Sequence, residues 1–272
     1  MIMRRKLYLI ISDGGGNTPL RGVHIDKENF LNFFKAPEGG AWKDDEIMVF
    51  DNNDFDLEIL RCNDLTAKIE KKPIDFYLIV YCGHGFTDQY NQIYLEVRPD
   101  VHIKLDDLLE VVARSRSLVI ADSCRLIFRL QEGGRIASRR LFSTSAEARN
   151  SAYAKICRDW YNYLIELTPP TMRFVCFSNS YGETADEDSR DGGVYCHELL
   201  TMAKRKKEEF QNLQQHNINS YYATIDEIHA EAADMVVKNT FDRQHPEILK
   251  SCRSLARFPF VVVPHLQLQL ED

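Results

Sequence analysis

Two short stretches carry residues whose types could do chemistry together. In YLIVYCGHGF, residues 77–86, an apolar run ends at an imidazole, His84, set between two glycines; in SLVIADSCRL a second apolar run ends in Asp-Ser-Cys-Arg, with Cys124. A thiol becomes a nucleophile when its thiolate is favoured, and a neighbouring imidazole does this by accepting the proton and pairing with the anion. Glycines flanking His84 let the backbone turn sharply and approach a ligand. The amides of Gly85 and Cys124 are then candidates to hold the oxyanion of a tetrahedral intermediate. Taken singly, His84 reads as a turn histidine and Cys124 as an inert buried thiol. Their joint occurrence at two strand ends is what points to a nucleophile and its base.

The flanking elements must bring these loops together. Short runs rich in Val, Ile, Phe and Tyr predict strands over Leu7–Ser12, Glu46–Phe50, Asp75–Tyr81, Leu118–Ala121, Arg173–Phe177 and Phe258–Val263. Apolar residues at three- and four-residue intervals predict helices over Val23–Phe34, Leu57–Lys71, Leu105–Ala113, Ala146–Leu167, Val194–Lys207 and Thr224–Val237. Strand and helix in turn imply a three-layer α/β protein, with a mostly parallel sheet of about six strands and helices on both faces. In such sheets ligands gather beyond the carboxyl ends of the strands, where both chemical stretches fall.

Composition narrows the function classes. With 34 basic and 41 acidic residues the formal charge is −7, so no general basic field gathers nucleic acid. Seven cysteines spread without a close-spaced framework fit a reducing cytoplasm. The apolar run after MIMRRK is shorter than the roughly 7–15 residues of a signal-peptide core, and no stretch approaches the ~20 residues of a membrane span. SDGGGNTPL lacks the lysine and spacing of a phosphate loop, which weighs against a flavodoxin-like nucleotide-binding module. Cys82 with His84, and Cys196 with His197, are too tightly spaced for a structural zinc site, and neither a metal nor an organic cofactor is expected. Asp106 and Asp107 read as helix-start carboxylates.

YCGHG followed by ADSCR resembles the caspase and metacaspase group of cysteine peptidases, with the Asp-Ser-Cys step closer to bacterial metacaspase-like proteins. The likeness covers nearly the whole chain. LRGVHIDKENFLNFF resembles the Leu-x-Gly-x-x-x-Asp segment after the first strand, and RFVCFSNSYGETADEDSRDGGVYCHELL resembles the strand and acidic loop that open the small subunit. The resemblance implies one catalytic domain over 1–272. Residues 1–124 would be the large-subunit part, 125–170 a linker and 171–272 the small-subunit part. It implies a His84–Cys124 dyad hydrolysing protein or peptide substrates, with Gly85 at the oxyanion.

The position where caspases carry an aspartate-binding arginine is Leu20, and the chain continues Cys124-Arg125-Leu126 where metacaspases continue Cys-His-Ser. Pocket carboxylates of metacaspase-like enzymes fall on Asp26 and Asp122, implying cleavage after Arg or Lys. Asp26 reads equally as a first-turn helix carboxylate, and Asp122 as a loop cap. The arginine-rich linker, with Arg135, Arg139, Arg140 and Arg149, offers processing sites for the enzyme itself or an upstream protease; a regulatory protein is the other expected partner. Arg125 beside the thiol keeps a second reading open, a pseudo-peptidase that uses the fold as a binding module.

Overall fold

The structure is a computed structural model and describes residues 3–14, 19–51, 54–126, 137–138, 152–215, 219–251 and 257–265. The strands are β1 (Arg5–Ser12), β2 (Ile47–Phe50), β3 (Phe76–Gly83), β4 (Gly85–Thr87), β5 (Ile93–Arg98), β6 (Val101–Lys104), β7 (Arg116–Asp122), β8 (Ala137–Ser138), β9 (Arg173–Phe177), β10 (Glu187–Arg190), β11 (Gly192–Gly193), β12 (Tyr221–Thr224), β13 (Glu247–Lys250) and β14 (Pro259–Val263). The helices are α1 (Val23–Lys35), α2 (Leu57–Ile69), α3 (Leu105–Val111), α4 (Ala152–Glu166), α5 (Val194–Gln214) and α6 (Ile225–Asn239).

A six-stranded sheet runs in the order β13-β9-β7-β3-β1-β2. All its neighbours are parallel except β13, which closes one edge antiparallel to β9. β3 is buried along its whole length, as a parallel strand covered on both faces must be. Its side chains alternate between two cores. Phe76, Leu78, Val80 and Cys82 join α1, α4, α5 and α6, whereas Tyr77, Ile79 and Tyr81 join α2 and α3. Helix starts follow local chemistry: Asp56 accepts from the Glu58 amide at 2.9 Å ahead of α2, and Thr224 with Glu227 forms a capping box on α6.

Six strands and mostly parallel pairing agree with the sequence reading, but one member differs. Phe258–Val263 is a strand outside the main sheet, where β14 pairs antiparallel with β12. Its place is taken by Glu247–Lys250. A continuous apolar run reports burial on both sides, and β14 obtains it among helices, with Phe260 against Phe33 and Phe34. EILK, short and only partly covered at an edge, carries no such run. α5 extends beyond the predicted Lys207 to Gln214, and the predicted start of the Ala146–Leu167 helix lies outside the described residues.

Candidate active site

The β3–β7 ladder ends with Cys82 opposite Asp122. Two residues beyond that pair on each chain stand His84, between β3 and β4, and Cys124, in the loop after β7, so the ladder delivers both to the same carboxyl edge of the sheet. Both are partly buried. The turn holding His84 is fixed from below by Tyr81, whose hydroxyl lies between the carbonyl oxygens of His84 and Glu96. Gly14, at φ +76° after β1, lies against the imidazole. A Cβ there would fall 2.3 Å from His84 Cδ2. The Gly14 contact belongs to a glycine run that sequence reading treated only as a turn; nothing local to it indicates the histidine it meets.

The orientation of the Gly85 amide follows from the ladder. The Glu96 amide donates to His84 O at 3.0 Å, so Gly85 and Leu95 form a non-hydrogen-bonded antiparallel pair and the Gly85 N–H points away from β5. Thr87, two residues on and facing the same way, donates to Leu126 O at 2.9 Å. The Gly85 amide therefore faces the Cys124–Leu126 segment. Ser123 packs so closely that a Cβ on Gly85 would fall 2.8 Å from its Oγ.

Cys124 is held by a network drawn from after β9. Ser178 Oγ accepts from the Ser123 amide at 3.3 Å, and Asn179 Nδ2 donates to Ser123 O at 2.9 Å. The Arg125 amide donates to Glu183 O at 3.0 Å. Between these two occupied amides, the Cys124 N–H has no partner among the described residues. The Cys124 thiol itself accepts from the Ala185 amide at 3.4 Å and lies 3.9 Å from Ala185 O. Gln244, fully buried, ties this loop down by donating to Ser178 O at 2.7 Å and accepting from the Asp186 amide at 3.0 Å. The Arg125 guanidinium stacks 4.4 Å over Phe177 and bonds Asn179 O and Glu247, so it serves as a structural anchor.

Both members of the pair are shifted toward neutrality. Burial pushes the Cys124 thiol up, opposed by the Ala185 amide and reinforced by the charges of Asp122, Asp186 and Glu187. Burial holds His84 below the ordinary histidine value, against the pull of Glu96 and Asp13.

Asp26 and Asp122 are buried together beneath Gly192–Gly193, with exposures of 1 % and 6 %. Gly193 donates its amide to Asp26 Oδ2 at 2.9 Å. A Cβ at Gly192 would fall 2.0 Å from Asp26 Oδ1, and one at Gly193 2.0 Å from Asp122 Oδ2. Those two oxygens lack hydrogen-bond partners among the described residues. Burial and then the Asp122 charge push the Asp26 carboxyl well above its usual range. Burial also raises Asp122, against hydrogen bonds from Cys196 and Ser178. Asp26 sits in the first turn of α1 and Asp122 at the end of β7, so the local readings of the sequence and the shared-pocket reading describe the same two positions. Asp106 and Asp107 stand in the first turn of α3. Arg135, Arg139, Arg140 and Arg149 lie outside the described residues.

A caspase fold is defined by such a sheet with its chemistry at the carboxyl edge, and the comparisons agree. The caspase domain profile matches residues 5–256, and the chain belongs to that family of cysteine peptidases. The structure is similar to Caspase-1 from Spodoptera frugiperda, with a TM-score of 0.53 and 15 % identity over 91 % of this chain and 86 % of that one, a likeness of fold. No curated protein sequence matches.

Proposed function

We propose that the protein is a cysteine endopeptidase that cuts protein substrates after Arg or Lys, through Cys124 as nucleophile and His84 as base. The observation that carries this reading is that the adjacent strands β3 and β7 end just before these two residues at one edge of the sheet, with the Gly85 amide facing the Cys124 segment. His84 takes the thiol proton as Sγ attacks the scissile carbonyl carbon. The Gly85 and Cys124 amides hold the oxyanion, and His84 returns the proton to the leaving amine as the C–N bond breaks. Water, deprotonated by the same imidazole, then releases the acyl group and restores the thiol.

Two buried carboxylates with unpartnered oxygens support a cationic side chain before the cut. The likeness of Asp-Ser-Cys to metacaspase-like sequences agrees with that preference. Neutral forms at rest, with the thiol engaged by Ala185, support a latent enzyme. Cleavage at Arg135, Arg139, Arg140 or Arg149, by the protein itself or an upstream protease, is its proposed activation. Free cysteines among the described residues fit a cytoplasmic setting.

A fluorogenic peptide panel varying the residue before the cut, run on wild type and Cys124→Ala, tests the proposal. Hydrolysis after Arg or Lys, absent in Cys124→Ala, is expected; activity surviving that substitution excludes the nucleophile, and preference for Asp overturns the pocket. The thiol's engagement by Ala185 favours one rival, a pseudo-peptidase that binds partners. That rival predicts slow alkylation of Cys124 regardless of His84, whereas the dyad predicts fast labelling that is lost in His84→Ala.

A further inference from the structure

Beside Asp26 and Asp122 the fold buries two thiols that the peptidase chemistry does not use. Cys82, near the end of β3, and Cys196, in the first turn of α5, place their sulfurs 3.9 Å apart. That is well beyond the ~2.05 Å of a disulfide. A carboxylate oxygen of Asp26 lies within 4.8 Å of both sulfurs, and all three residues are buried. Asp122, opposite Cys82 in the ladder, places a further carboxylate charge beside both thiols. One oxygen on each aspartate, Asp26 Oδ1 and Asp122 Oδ2, has no partner among the described residues although both side chains are more than nine-tenths buried. Buried carboxylate oxygens without donors are costly unless something supplies positive charge.

We propose that Asp26, Cys82 and Cys196 form a Zn2+ site, with a water as the fourth ligand and Asp122 beside it. Two thiolates and one carboxylate are a borderline-soft donor set suited to tetrahedral zinc with its fourth position held by water. With Zn–S bonds of about 2.3 Å, the sulfurs of a tetrahedral site stand about 3.8 Å apart, close to the separation already present. Neither cysteine is paired with a nearby histidine by sequence spacing; the three donors come from β3, α1 and α5 and meet only in the folded chain. Binding displaces the proton of each thiol, which leaves to solvent, and the metal takes the Asp26 carboxylate. On the reading of Asp26 and Asp122 given under Proposed function, zinc therefore excludes the substrate's cationic side chain and inhibits cleavage.

Metal-free full-length protein is titrated with Zn2+ and with Co2+ as the spectroscopic probe. One equivalent of Zn2+ per chain and a thiolate-to-cobalt charge-transfer band are expected. Both should be lost in Cys82→Ala and Cys196→Ala, weakened at least tenfold in the isosteric Asp26→Asn, and retained in Cys176→Ala, a buried thiol outside the cluster. Binding unchanged in both cluster cysteine variants overturns the site. Because either variant can fail to fold, X-ray absorption on zinc-loaded wild type supplies a second reading: two sulfur neighbours support the site, and none or four overturn it. Zinc should also raise KM for an Arg peptide. Zinc bound without that effect supports the site and overturns its link to the pocket, whereas no zinc bound removes this inference and leaves the peptidase reading standing.

Discussion

The mouth of the site and its floor are built on opposite principles. His84 and Cys124 at the mouth follow closely on the adjacent strands β3 and β7, and Gly85 opens β4. Tyr81, Ser178, Asn179 and Gln244 hydrogen-bond the surrounding backbone, although Asn179 Oδ1 and Arg125 Nε have no partner among the described residues. At the floor, Asp26, Asp122, Cys82 and Cys196 arrive from four elements, and two carboxylate oxygens lack donors. The contrast separates geometry from charge. A dyad needs its atoms held in place before substrate arrives, whereas a floor built for a cation must carry an imbalance that only the cation relieves.

Breaking the mouth should have the largest effect. His84→Ala is expected to lower kcat by about 10²–10⁴-fold, the usual worth of a positioned acid–base group, with the unfolding midpoint unchanged. Gly14→Ala attacks the same residue from outside the dyad. Its new methyl would fall 2.3 Å from the imidazole, so the ring must move. A displacement of about 1 Å can cost about 10²-fold in rate. Steady-state kinetics should show the loss in kcat, with KM for an Arg peptide little changed.

Those two positions differ in how far the sequence exposes them. His84 and Cys124 are legible because each ends an apolar run, and strand ends of a parallel sheet are where ligands gather. β1, β3, β7 and β9 are legible for the same reason, their residues being buried on both faces. Gly14, Tyr81 and Gln244 are not, since each acts through a contact with a distant part of the chain that no local pattern encodes. Asp26 and Asp122 emerge from family likeness, and only the fold shows them sharing Gly192–Gly193. The β4–β5–β6 sheet after His84 carries an alternation in IYLEVR, with Leu95 and Val97 buried, that ends too soon to announce three strands. β14 shows the limit of an apolar run: it predicts a strand, not the strand's partner.

Altering the floor should sharpen the contrast by moving activity and stability in opposite directions. Asp26→Asn is expected to lower kcat/KM for Arg peptides by about 10²-fold, the scale of a lost charge-assisted pairing, while raising the unfolding midpoint. The pH dependence follows from the direction of the shift. A carboxyl whose folded pKa is raised binds its proton more tightly in the native state, so wild-type stability falls as pH rises from the ordinary aspartate range through the raised value. Over the same window the carboxylate ionises, and affinity for a cationic side chain grows. Asp26→Asn should flatten both trends in thermal melts and in KM measured across pH; trends of equal slope in the variant would assign them to other groups.

The smallest effect belongs to the clamp between the two regions. Gln244 joins Ser178 O to the Asp186 amide, and Ala185, next to Asp186, bonds the Cys124 thiol. Gln244→Ala leaves a buried carbonyl and a partly buried amide without their partner, a loss of about 1–3 kcal/mol in a denaturant melt. The loop that engages the thiol is then less firmly held. If that engagement keeps Cys124 quiescent, alkylation of Cys124 should quicken a few-fold while the proposed preference for Arg stays. Slower alkylation would instead make the Ala185 amide an activator of the thiol, consistent with an N–H that lowers its pKa. The sign of one labelling rate thus decides whether the loop restrains the mouth or prepares it.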